Sequence, residues 1–412
     1  MDENAVPKPR VSRWVLRRHP DFARLWAAKA VSQIGDGAAL IALVIYVQQT
    51  EGTGVAVSAL LLAETLPNLL GPIAGTLVDR IDQRRLMLVA ESGQALIYGT
   101  IALLLPPLPI LLALVASASV LATVFGPAGR SAVPVLVPER DLVPANSLMG
   151  IAVALQGTAG PAVGGVLIAV AGVRGALIAN AVTFVIAVIF LARLRSLPAD
   201  VGGAGSPGLL RGTAEGIAFA LRNPIARVLI VGLGLGVTFA AVDDVALVFL
   251  ARDELGAGAL GYGALASIYG VGFAAGSIAF RRARLGRAET AFVAGLFLTG
   301  VGGLLTGLAP AFAVAALTQA VAGSGNGLDV VATDTLVQRE IPRSHRGRVF
   351  GVVAATTLLG AAIGRGAGGI VVDLTSARAT FIIGGSGVLL VTLLTLALFR
   401  RATHTAPDEP AP

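Results

Sequence analysis

Cysteine is absent from the 412 residues and histidine occurs only three times. The first absence excludes disulfides, thiolate nucleophiles and cysteine-held zinc or iron–sulfur centres. His19 and His404 fall in polar tails and His345 in a connection, so imidazole ligation has no constellation to work with. Charge is scarce too, at 13% of residues, and aromatic side chains make up 5%. So few charges cannot coat a water-soluble body of this length, and so few rings argue against an aromatic cage for one quaternary amine. The sequence carries no nucleophile elbow, metal-ligand spacing or ATP-binding motif. Gly232, Gly234 and Gly236 lie within an apolar run and lack the strand–turn–helix setting of a dinucleotide site. The expectation is therefore no enzyme, no cofactor and no resident metal.

What abounds is apolar length. Hydrophobic residues form 55% of the chain and the mean hydropathy is +0.82. Stretches of about twenty apolar residues recur about twelve times, enough for each to cross a bilayer as a helix. They fall near 22–47, 55–78, 86–105, 108–131, 145–170, 173–194, 225–250, 258–280, 288–308, 311–336, 347–371 and 377–399. The fold class read from them is an all-α polytopic membrane protein with twelve transmembrane helices in two six-helix bundles.

Arginine separates the two sides. Alternate connections hold Arg80, Arg84, Arg85, Arg130, Arg140, Arg193, Arg195, Arg222, Arg281, Arg282, Arg339 and Arg343, whereas the opposite set offers Arg174, Arg252 and Arg378. Both tails join the arginine-rich side, which by the positive-inside rule is cytoplasmic. The net charge of +7 is thus distributed by topology, and no nucleic-acid partner is expected. A long basic arm and the lack of a small-residue cleavage site make the first span a retained helix, with Trp14, Phe22 and Trp26 expected at the headgroups.

Gly160-Pro161-Ala162-Val163-Gly164-Gly165 returns as Gly364-Arg365-Gly366-Ala367-Gly368-Gly369, with Pro138 and Pro342 preceding the two copies at equal distance. This repeat divides the chain into a cytoplasmic basic arm 1–21, a six-helix bundle 22–195, a cytoplasmic linker 196–224 rich in Gly and Pro, a second six-helix bundle 225–400 and a tail 401–412. Small residues one turn apart recur at Gly71/Gly75, Gly160/Gly164, Gly272/Gly276 and Gly360/Gly364/Gly368, the pattern of close helix packing in lipid.

Gly75-Thr76-Leu77-Val78-Asp79-Arg80-Ile81-Asp82-Gln83-Arg84-Arg85 resembles the major facilitator superfamily signature between its second and third helices. The resemblance implies a conformational latch of Gly75, Asp79, Arg80, Arg84 and Arg85. In it Asp79, disfavoured at its own helix C-terminus, meets the positive N-terminus of the eleventh helix near Gly347 and Arg348. In the repeat copy Phe280 replaces the acid. Phe22-Ala23-Arg24-Leu25-Trp26, Ser32-Gln33-Ile34-Gly35-Asp36 and Arg346-Gly347-Arg348-Val349-Phe350-Gly351 look like the multidrug and macrolide exporter branch, a pattern that siderophore exporters and lysophospholipid transporters share. Gly157, Gly160, Pro161, Gly164 and Gly165 are similar to the antiporter signature of the fifth helix. The resemblance implies two pseudo-symmetric bundles that alternate access across the bacterial plasma membrane, a small amphipathic cargo, a proton gradient as energy source and a monomeric chain.

An ionisable side chain at the bilayer centre costs about 2.5–3.5 kcal/mol on insertion scales, so those inside spans are candidate functional groups. Asp36, with Gln33 nearby, is placed for proton coupling or cation recognition; a structural pairing with Lys29 or Arg365 is the competing role. Asp243 and Asp244 point about 100° apart on one helix and cannot face a cavity equally. Asp329 and Asn326 share a face of the tenth span. Glu64 and Arg365 are expected to form an interdomain salt bridge. Glu91 and Gln94 sit where related exporters carry an acid followed by arginine, and Gln94 reads as ordinary polar packing. A siderophore, lysophospholipid or metabolite carrier, and a transport-inactive receptor or scaffold, are the competing functions.

Overall fold

The computed structural model describes residues 11–71, 81–197, 218–282, 288–343 and 345–404, and among these every regular element is helical. The first part comprises α1 (Val11–Arg18), α2 (Pro20–Glu51), α3 (Gly54–Thr65), α4 (Gln83–Leu104), α5 (Leu108–Leu136), α6 (Leu142–Gly157) and α7 (Ala159–Ala192). After it come α8 (Pro224–Ala240), α9 (Asp243–Phe249), α10 (Gly258–Arg282), α11 (Ala288–Gly307), α12 (Phe312–Glu340), α13 (Arg346–Leu374) and α14 (Ala377–His404). Nine helices among the described residues are long and apolar enough to cross a membrane. Helix is what lipid demands, because it pairs every backbone polar group within its own segment.

Breaks in the helices have local causes. Pro161 cannot donate to the Gly157 carbonyl, and the chain leaves helical geometry at Thr158 (φ −109°, ψ −71°) before resuming as α7. Within α7, Gly172 adopts φ +70° and ψ 178°, a conformation open to glycine, and there the stretch 139–192, about 80 Å if straight, divides. The second apolar run does not continue as one helix to residue 78: α3 gives way at Leu66 to a 3₁₀ turn containing Pro67. The seventh is interrupted at Ala241 and Val242, and past α9 it closes in a π-helical turn, Leu250–Glu254.

The chain separates into two compact units, 1–43 with 66–204 and 44–65 with 205–412. The boundary falls inside α2, and α3 belongs with the second unit because it packs along α13. In the first unit Val15, Phe22, Met87, Phe125, Leu148 and Leu191 join α1, α2, α4, α5, α6 and α7 in one apolar core. Phe22 is therefore not a headgroup anchor but fully buried, and Trp26 turns inward to donate from Nε1 to the Leu148 carbonyl at 2.9 Å. An indole N–H in an apolar bundle needs such an acceptor. Trp14 stays exposed beneath the Arg18 guanidinium. The second unit has its own core around Leu229, Phe292, Ala332, Val349 and Phe399.

The repeated glycines do the same task in each unit. A Cβ on Gly160 would stand 2.7 Å from Gly37 Cα and one on Gly164 2.8 Å from Ala38 Cα, so α7 crosses α2 backbone to backbone. In the second unit Gly364 and Gly368 lie equally close to the Thr238 and Val242 carbonyls of α8 and its end. The two copies of the repeat thus make corresponding helix crossings. Gly165 is buried beside this seam, whereas Gly157 has nothing within 4 Å of its Cβ direction and takes no part in the contact.

Candidate functional site

In the first unit α2 places Lys29, Gln33 and Asp36 at i, i+4 and i+7, on one face. The Lys29 ammonium donates to Gln33 Oε1 at 2.6 Å and lies 4.7 Å from the Phe125 ring centroid. Gln33 Nε2 passes the chain on to Gln156 Oε1, also at 2.6 Å. Glu91 on α4 is 2% exposed, and its Oε2 is buried without a hydrogen-bond partner. It interacts electrostatically with Asp36 and Lys29, and Lys29 also feels Arg130 of α5. Lys29 itself makes no ion pair among the described residues, so the competing role of Asp36 as its bridge partner is not seen here. Gln94 donates weakly to the Ala90 carbonyl of its own helix, at 3.4 Å.

The second unit holds a separate group of acids. Arg365 of α13 binds Asp244 Oδ2 through Nε at 2.9 Å and reaches Glu64 Oε2 through Nη1 at 3.9 Å. The same Nη1 hydrogen-bonds Thr65 Oγ1, and the Arg365 carbonyl accepts from Ser58 Oγ at 2.5 Å. Glu64 and Arg365 thus meet within one compact unit, and the shorter partner of Arg365 is Asp244, which the sequence reading left unassigned. Asp243 points the other way. Its carboxylate fits where Gly303 and Gly384 have no side chains, with Oδ1 unpartnered.

Asp329 and Asn326 share a face of α12 but serve different neighbours. Asp329 lies against Gly295 of α11, with Oδ1 buried and unpartnered, while Asn326 Nδ2 donates to the Tyr269 hydroxyl of α10 at 2.6 Å. Tyr269 lies within electrostatic reach of Asp243, Asp244 and Asp329. Sequence reasoning missed Tyr269 and Gln156. A phenol or primary amide in an apolar span has to find a partner, and that requirement was the available signal.

Of the superfamily signature, Gly75, Asp79 and Arg80 lie outside the described residues. Arg84 caps the end of α7 by donating to the Leu191 and Ala192 carbonyls at 3.2 and 2.6 Å. The Arg85 N–H donates to Asp82 Oδ1 at 2.9 Å. Asp82 Oδ2 further accepts from Ser196 Oγ at 2.6 Å and the Leu197 N–H at 3.0 Å. Burial works against the Asp82 carboxylate, but these bonds and the neighbouring Arg85 charge outweigh it and hold its pKa below the usual aspartate value.

Apolar spanning helices, internal glycine seams and ionisable groups at membrane depth together define a polytopic membrane transporter. The chain belongs to the transmembrane secretion effector family of the major facilitator superfamily, whose model matches residues 11–410. The multidrug efflux pump Tap of Mycobacterium tuberculosis is 28% identical over 390 residues, covering 89% of this chain and 90% of Tap. The enterobactin exporter EntS of Shigella boydii is 27% identical over 419 residues, covering 96% and 97%. The crystal structure of the nucleoside transporter NupG shares the fold, with a TM-score of 0.75 at 14% identity over 92% of this chain and 99% of that one. Neither the family nor these neighbours are enzymes.

Proposed function

We propose that the chain exports amphipathic, drug-like small molecules by alternating access, driven by proton entry. The observation that carries this reading is the set of buried carboxyl oxygens without hydrogen-bond partners on helices of spanning length, Asp243 Oδ1 and Asp329 Oδ1 in the second unit among them. A carboxyl in such a position holds or yields its proton according to whether water or a cation reaches it, which is what coupling two fluxes requires. Asp36, on the face that also carries Lys29 and Gln33, is the coupling acid we assign in the first unit. Asn326 is assigned beside Asp243 and Asp329, and the paired Arg365 and Glu64 are assigned to conformational control. Gly75, Asp79, Arg80, Arg84 and Arg85 are assigned to the cytoplasmic latch. Both termini are placed in the cytoplasm, and the chain is taken to act as a monomer. The export direction is supported by the similarity to Tap, a multidrug efflux pump, and EntS, an enterobactin exporter.

Energising inside-out vesicles with a proton gradient and adding cationic dyes and macrolides tests this reading. Each transported compound should dissipate the gradient, and Asp36→Asn should abolish the effect while the protein remains folded. Full dissipation in Asp36→Asn would move the coupling to other acids, and silence across the panel would remove the drug reading. A second cargo class is favoured by one observation, the lack of an ion-pair partner for Lys29, which suits an anionic group such as a siderophore catecholate or lipid phosphate.

A further inference from the structure

We propose that Glu91 of α4 and Lys29 of α2 are an exchange pair. Glu91 carries a proton while Lys29 is held on Gln33, and when Glu91 loses that proton its carboxylate takes Lys29 as counter-ion. This deepens the proton-coupling reading above and rests on it only for its role in transport.

Two placements carry the inference. Glu91 is 2% exposed with Oε2 unpartnered, a position in which an anion would lack both solvent and a donor. Lys29, a half-buried cation on α2 whose charge acts on Glu91, spends its hydrogen bond on a neutral amide and lies 4.7 Å from the Phe125 ring centroid. Opposite charges that act on each other across a low-dielectric interior attract once both are present, so the arrangement has two self-consistent forms. In one, the Glu91 carboxyl is neutral and Gln33 holds the ammonium. In the other, the Glu91 O–H bond breaks, the proton leaves to water, and the carboxylate accepts from Lys29, releasing Gln33 and through it Gln156.

The surroundings favour a closed site. Glu91 lies about 12 Å along α4 from its start, and Lys29 a similar distance along α2. Beside and toward those ends Leu25, Ala28, Met87, Phe125 and Ala128 are buried in one apolar cluster. The charged groups that act on the pair are Asp36 from α2 and Arg130 from α5. Between Arg174 and Arg193, α7, which packs on α4, contributes no titratable side chain.

Infrared difference spectra of the full-length protein in lipid vesicles, titrated with no cargo, test the pair. A protonated-carboxyl carbonyl band should appear as pH falls, shift with carbon-13 glutamate but not aspartate, survive Glu64→Gln and vanish in Glu91→Gln. Lys29→Met should raise its midpoint by about 1 pH unit, since a cation that favours the carboxylate is gone, and Lys29→Arg should restore it. A band that follows aspartate labelling, persists in Glu91→Gln, or keeps its midpoint in Lys29→Met overturns the proposal. The glutamate label answers the question even where Glu91→Gln does not fold. Because no cargo is used, these outcomes are independent of the drug panel, and loss of the pair would leave the exporter reading standing on Asp36.

Discussion

Arg365 offers the sharpest quantitative test in the second unit, because three partners converge on one guanidinium at different distances. Its bond to Asp244 is short and directional, but the Asp244 side chain is 46% exposed, so screening limits the pair to about 1 kcal/mol. Glu64 is more enclosed yet stands 3.9 Å from the Arg365 Nη1, beyond hydrogen-bonding distance, and about 0.5 kcal/mol is the reasonable share of that pair. Adding the Thr65 hydrogen bond, Arg365→Gln should cost about 2 kcal/mol in total. Equilibrium unfolding in mixed detergent micelles, run as two double-mutant cycles, separates the terms. Coupling of Arg365→Gln with Asp244→Asn should be about twice that with Glu64→Gln, and Arg365→Glu should be rescued better by Asp244→Arg than by Glu64→Arg. Equal couplings, the reverse order, or two couplings under about 0.3 kcal/mol would refute the distance-ranked reasoning.

The fifth-span signature yields a contrast between glycines that look equivalent in sequence. Gly160→Val should sharply reduce the yield of monodisperse protein, since its Cβ would meet the Gly37 backbone, which cannot give way; Gly157→Ala should match the parent in yield and melting temperature. Asp82 makes a pH prediction. Its folded pKa lies below its unfolded value of about 3.9, so its contribution is present above that value and lost as pH falls through the folded one. Asp82→Asn should therefore flatten the acid limb of stability below about pH 4 in a melting series, and an unchanged limb would show that the cap is not coupled to folding. Asp82→Ala should cost about 1 kcal/mol at neutral pH through loss of the α4 cap.

The sequence made the helical class legible because lipid leaves few choices: an apolar run of spanning length becomes a helix, and nine helices of that kind stand among the described residues, although the run expected at 145–170 is interrupted at Thr158. It made the glycine seam legible too, since the repeat carries Gly160 and Gly164 onto Gly364 and Gly368 and each copy meets the first helix of its own half. Side-chain partnership was less accessible. Helical phase separated Asp243 from Asp244 but could not say that Asp244 would take Arg365, because that choice depends on where α13 places a guanidinium more than a hundred residues away. For the same reason Asn326 and Asp329 were read together, yet α12 is wedged between α10 and α11 and a rotation of about 60° sends one to each. Lys29 shows the remaining difficulty most clearly. Lys29 and Arg365 were both open as partners of Asp36, but the Lys29 ammonium is held by Gln33 beside the Phe125 ring, and an acid left without a hydrogen bond at Oε2 is Glu91 on a different helix. A charge inside a bundle is thus assigned by what it lacks as much as by what it touches, and a missing partner can be seen only once the neighbouring helices are in place.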